Sequence, residues 1–173
     1  MRVSMFCSLS IVAPICLTLD AAGASGQPLD HANPPRTVTV EHAEILMPVA
    51  DGSPAKAFLI IWNGTETQTS LASVRSDAFA SATIMRTLFA SGVNTTEPIS
   101  GPLPIPAHAE LQMRKDGIHL ILANPKTATT LSDGTRLTLV FGDGREMEVS
   151  ATVVPASEML TRHRHGDGDR AAN

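Results

Sequence analysis

Turn dipeptides punctuate the central part of this chain: Asp51-Gly52, Asn63-Gly64, Ser91-Gly92, Asp116-Gly117, Asp133-Gly134 and Asp143-Gly144. Each couples a residue that tolerates a tight reversal to a glycine, so the chain between them can only run in short segments. Those segments are β-branched or alternating: Val38 to Leu46, Ala57 to Trp62, Thr69 to Arg75, Thr83 to Leu88, Glu110 to Arg114, Ile118 to Leu122, Arg136 to Phe141 and Glu146 to Val154. No stretch holds a 3.6-residue apolar period for three turns. Ser76 to Phe89 comes nearest, and it carries too many small and β-branched residues for a helix. The pattern predicts an all-β fold of about eight strands around one core, for which a single immunoglobulin-like two-sheet sandwich is the economical solution.

The clearest hairpin joins the last two segments. Leu137, Leu139 and Phe141 alternate with Arg136, Thr138 and Val140, and Met147, Val149 and Ala151 alternate with Glu146, Glu148 and Ser150. One face is wet and the other dry. Gly142-Asp143-Gly144 is expected to supply the positive φ angles of the reversal. Pro98 to Pro106 is expected to interrupt pairing and to cross between sheets or cover an end, because proline offers no amide donor.

The two ends differ from the middle. Arg2, the apolar run Met5 to Leu19 and the small residues Ala22-Gly23-Ala24 read as a secretory signal covering residues 1–24. The run is short of the ~20 residues of a membrane span. A lipoprotein signal built on Cys16 is a second reading, although Pro14 and Ile15 stand where small residues are expected. Residues 25–36, rich in Pro, Gly and Asn, read as a flexible leader, residues 37–156 as the sandwich, and 157–173 as a disordered polar tail. Cys7 and Cys16 both lie in the signal, so the exported chain is expected to have no thiol, no disulfide and no thiolate metal site in an oxidising compartment, periplasmic or secreted. Of 173 residues, 3% are aromatic, and the net charge is −4, which removes support for nucleic-acid binding.

No phosphate loop, GxSxG, HExxH or pair of carboxylates sharing a cleft is present, so the reading is not of an enzyme. Six histidines and seven methionines remain. Thioether sulfur suits Cu(I), and imidazole binds copper in either oxidation state. His119 follows a tight turn in Gly117-Ile118-His119-Leu120-Ile121-Leu122. If Ile118 and Leu120 face the core, His119 and Ile121 share the opposite face.

The run Gly101-Pro102-Leu103-Pro104-Ile105-Pro106, then Glu110-Leu111, then Asp116-Gly117-Ile118-His119-Leu120-Ile121, resembles the periplasmic copper chaperones of the PCu(A)C family, in which a Leu-x-Ile-Pro segment leads into a His-x-Met pair. Met47-Pro48 through Leu59 and the hairpin Leu137 to Gly144 resemble further parts of that pattern, so the resemblance spans about residues 37 to 154. It implies a cupredoxin-like sandwich that holds Cu(I) with two histidines and two methionines and hands it toward cytochrome oxidase copper centres. Position by position, His119 matches the histidine of the His-x-Met pair, Ile121 stands at its methionine, Met85 falls at the first histidine, and Asn94 to Thr96 replace the second methionine. The tryptophan common near the end of the first strand is replaced by Glu44-Ile45.

Two soft donors, Met85 and His119, therefore survive, with Met47 as a candidate third. His163 and His165, two residues apart in the tail, are a candidate Cu(II) chelate. Met113 and Met147 read as core, and His42 and His108 as surface. Two roles follow: an exported copper-binding protein or chaperone with a copper-accepting envelope protein as partner, or a metal-free sandwich that serves as a binding or assembly module.

Overall fold

The computed structural model describes residues 33–50, 53–126 and 135–156. Within them the fold is all-β, with ten strands: β1 (Val38–Leu46), β2 (Ala55–Asn63), β3 (Thr69–Ser76), β4 (Phe79–Ala90), β5 (Val93–Pro98), β6 (Leu103–Ile105), β7 (Ala109–Gln112), β8 (Ile118–Pro125), β9 (Thr135–Phe141) and β10 (Glu146–Val154). One layer runs β5-β4-β8-β2-β1, with β7 also on β2, and the other runs β10-β9-β3-β6. A short parallel contact, Glu44 to Leu46 against Thr152 to Val154, joins the layers along one side. The rest of the pairing is antiparallel.

Alternation explains the core. Ile45, Leu59, Ile61, Leu120 and Leu122 come from one layer, and Leu71, Ile105, Leu137, Leu139 and Phe141 from the other; all are buried. Such a two-layer arrangement buries one face of each sheet against the other. In β10 the buried Val149 and Ala151 alternate with exposed Glu148 and Ser150, as the sequence predicts.

Three details differ from the sequence reading. The strands number ten among the described residues rather than about eight, because β5 and β6 were not expected. The proline-rich segment does cross from the first layer to the second, yet three of its residues pair with β3, with Ser70 opposite Pro104. An edge strand tolerates this because a missing donor can face outward. In the β9–β10 turn only Gly144 has a positive φ, 85°. Gly142 instead lies against Ser70: a β-carbon there would lie 2.3 Å from the Ser70 hydroxyl oxygen, which would have to rotate away. The β4–β5 turn takes positive φ at both central residues, 53° at Ser91 and 79° at Gly92, as a two-residue reversal requires.

The segments read as signal, leader and tail lie almost wholly outside the described residues. No described helix is long and apolar enough to cross a membrane.

Candidate metal centre

The outer face of the first layer carries a row of side chains that runs across four strands. Glu44 on β1 stands opposite Phe58 on β2. The Phe58 ring lies 6.3 Å from the His119 ring, centroid to centroid. His119 on β8 stands opposite Met85 on β4. Directly opposed residues share a face, with β-carbons roughly 4.5–5.5 Å apart. An imidazole and a thioether are thus brought side by side from positions 34 residues apart in the chain.

The local turn fixes the histidine. Met113 N–H donates to the Leu59 carbonyl at 2.9 Å, and Arg114 N–H donates to the Ile118 carbonyl at 2.7 Å, closing the reversal before β8. His119 is the second residue of that strand, and its Nδ1 lies 3.1 Å from the Gly117 carbonyl oxygen. A carbonyl only accepts, so Nδ1 carries the proton and Nε2 keeps its lone pair. His119 is 0% exposed, and among the described residues Nε2 has no hydrogen-bond partner. Burial pushes its pKa below the usual histidine value, the bond to Gly117 pulls the other way, and the nearby Lys56 ammonium lowers it further.

A buried nitrogen with an unused lone pair costs about 1–3 kcal/mol relative to a satisfied one. It is also the form in which histidine binds metals, with the second ring nitrogen held by a carbonyl. Beside it Met85 is half-buried and lies between the imidazole and the exposed β4–β5 hairpin. Among the described residues no group of three or more His, Cys, Asp or Glu side chains could hold a metal. The donors at this point are therefore one nitrogen and one thioether, a set that fits a soft monovalent ion rather than a hard or strictly tetrahedral one.

The other positions singled out by sequence fall as follows. Ile121 is two residues beyond His119 on the same face, flanked by Thr83 and Lys56 on the neighbouring strands. Thr96 is opposite Thr87, with the two hydroxyl oxygens 3.4 Å apart, on the face that carries Met85. Met47 follows β1, donates its N–H to the Val154 carbonyl at 2.9 Å and packs on the core. Strand β2 separates its strand from β8, so the structure does not bring it to the Met85–His119 pair. Met113 is buried in the core and Met147 packs against it. His42 is half-buried on β1, whereas His108 is exposed with its Nε2 3.0 Å from Glu66. His163 and His165 lie outside the described residues.

Sequence reasoning missed Phe58 and Glu44 as members of the row. The signal was present: Ala57 to Trp62 is apolar at every position, which marks a strand covered on both faces.

Three solved structures place this architecture among known ones. The chain is 22% identical to the apo PCuAC domain from PmoF1, with 69% of this chain and 94% of that chain covered and a TM-score of 0.56. Against the copper-bound PCuAC domain from PmoF2 the identity is 19%, the coverage 68% and 92%, and the TM-score 0.53. Against the Cu(I) form of DR1885 from Deinococcus radiodurans the values are 24%, 78% and 84%, and 0.53. At these identities the likeness is one of fold. No curated protein matches the chain. The family model that does match, "Putative lipoprotein LpqE-like", takes in residues 38–153, from the first residue of β1 to the end of β10 but one, and the chain belongs to the LpqE-like family.

Proposed function

We propose that this is an exported protein that binds Cu(I) through Met85 and His119 and holds or passes it to a copper-accepting protein of the cell envelope. The observation that carries the reading is the buried His119 ring. Its Nδ1 is committed to Gly117, its Nε2 has no partner among the described residues, and Met85 is directly opposite. Two of the structurally similar proteins are solved with copper, one of them with Cu(I), which supports copper as the ion. The lipoprotein wording of the family description and the N-terminal sequence support export, to the periplasm or beyond.

The chemistry follows from the donor count. His119 is anchored by its carbonyl bond and supplies a fixed nitrogen, while Met85, on an unbranched and half-exposed side chain, supplies a sulfur that can swing. Cu(I) held by two donors keeps room for a third from an incoming acceptor. Loss of thioethers at the positions of Ile121 and Thr96 means weaker retention, which suits release more than storage. Residues 1–24 would be removed on export and 25–36 would act as a leader. His163 and His165 in the 157–173 tail would form a separate Cu(II) chelate.

The test is an anaerobic Cu(I) titration of residues 25–173 against a competing chelator, beside a version ending at Ser157. Tight binding that survives truncation and is lost in His119→Ala supports the reading. Absence of binding favours a metal-free assembly module, a role suggested by Ile121 and Thr96 at positions without donors.

A further inference from the structure

The two outer edges of the sheet are built differently. The β6 edge is short and is bracketed and interrupted by Pro102, Pro104 and Pro106, which deny a neighbouring strand its donors. The β5 edge, Val93-Asn94-Thr95-Thr96-Glu97-Pro98, has no lysine, no bulge and no proline before its last residue. It is exposed along its length except at the half-buried Glu97, and beside it stand exposed apolar side chains: Phe89 at 75%, Val93 at 61% and Leu88. Among the described residues, no strand pairs with its outer side.

The register states which backbone groups face outward. Ile99 N–H donates to the Ile84 carbonyl at 2.9 Å, which makes 84 and 99 a hydrogen-bonded pair. Such pairs alternate along an antiparallel ladder, so Glu97, Thr95 and Val93 turn their amides toward β4. Asn94 and Thr96 turn theirs away. We propose that β5 pairs antiparallel with β5 of a second copy of this chain, about a two-fold axis through Thr95.

The strand is self-complementary in that register. Asn94 of each copy faces Thr96 of the other, and these are the residues whose N–H and C=O groups point outward, so four backbone hydrogen bonds form across the axis. The two Thr95 side chains meet in the closer, non-hydrogen-bonded kind of pair, a favourable threonine contact. Glu97 faces Val93 rather than its own counterpart, and it is already neutralised by Arg86 on the adjacent strand. Leu88, opposite Thr95 within each copy, falls in one row with its counterpart. Shifting the axis to Thr96 also leaves four bonds, two between the Thr96 residues and one from each Asn94 N–H to a Pro98 carbonyl, but it draws the Pro98 rings into the paired segment; the Thr95 register keeps them at its margin, which favours Thr95 as the centre. Gly92 of the second copy then lies opposite Pro98, at the end of the row that holds Met85 and His119.

Six residues bury less than the roughly 800 Å² per partner of a standard interface, so the association depends on concentration. The test uses the full chain in sedimentation velocity from low to high micromolar, with two sets of variants. The wild type should shift from monomer to dimer mass across that range. Thr95→Lys sets two like charges against each other and should raise the dissociation constant at least ~10-fold. Thr95→Cys should cross-link across the axis under mild oxidation much faster than Val93→Cys, because only residue 95 meets itself. Unchanged circular dichroism in each variant separates the effect from misfolding. A wild type that stays monomeric throughout overturns the proposal, as does a dimer in which Val93→Cys links as fast as Thr95→Cys.

Discussion

Asn63 and His119 are both fully buried polar side chains in the first layer, and they are treated in opposite ways. Asn63 Nδ2 donates to the carbonyls of Thr67, Ile105 and Pro106 at 2.9 to 3.0 Å, and its Oδ1 accepts from the N–H and hydroxyl of Thr65. It ties the β2–β3 loop to the end of β6, and the chain beyond it is packed as closely. A β-carbon on Gly64 would lie 1.7 Å from the Pro35 carbonyl oxygen. His119 uses one nitrogen, and the other has no partner among the described residues. A completed network serves the fold, and an incomplete one costs stability that a ligand can recover.

That contrast sets the sizes of the expected effects. Asn63→Leu removes the side-chain donor to the Ile105 and Pro106 carbonyls, leaves Thr67 only the Thr65 hydroxyl, and should destabilise the protein by more than ~3 kcal/mol in urea unfolding, enough to prevent folding in a marginal domain. A loss under ~1 kcal/mol would mean that the network is dispensable. His119→Leu should do the reverse to the metal-free protein. It removes an unsatisfied nitrogen, and the Gly117 carbonyl still accepts from Thr87 N–H at 3.0 Å. The melting temperature should stay level or rise by a few degrees, while Cu(I) affinity falls more than ~100-fold, beyond the range typical of supporting residues alone.

Restoring donors gives an effect of intermediate size. Ile121→Met places a thioether two residues from His119 on the same face and should tighten Cu(I) binding by roughly 10-fold, or about 1.4 kcal/mol. Met85→Leu should weaken it by a similar factor or more, with stability changed by less than ~1.5 kcal/mol because the swap conserves volume. Unchanged affinity in both would separate copper from this face.

The smallest expected effect is on pH. Burial lowers the His119 pKa below the ordinary value of 6.5, so the unfolded chain takes up the proton first as pH falls. Stability of the metal-free protein should be level, as far as this group is concerned, above pH 6.5 and should decline below it. His119→Leu should remove that part of the slope. An identical profile in the variant would show that other groups set it.

The all-β sandwich was legible because core strands such as β9 and β10 alternate cleanly between buried and exposed residues. β5 was not. An edge strand exposed on both faces from Val93 to Thr96 has no apolar period to detect, and its pairing is set by the Ser91-Gly92 turn that precedes it. β6 hid behind its prolines, which are compatible with a strand only at an edge. At the site, sequence resemblance grouped Met85 with His119, but the local pattern placed His119 only on the face opposite Ile118 and Leu120 and said nothing of what covers that face. His119 is flanked by Phe58 on one side and Met85 on the other, and both placements depend on the β2–β8–β4 register rather than on neighbours in sequence.

Cu(I) binding at Met85 and His119 is tested by competition on the protein ending at Ser157, with and without His119→Leu, followed by copper K-edge absorption of the loaded form. One Cu(I) per chain with a nitrogen and a sulfur neighbour is expected, both lost in the variant while its fold persists. Binding that is equal in the two proteins, or a bound copper without sulfur, would contradict it.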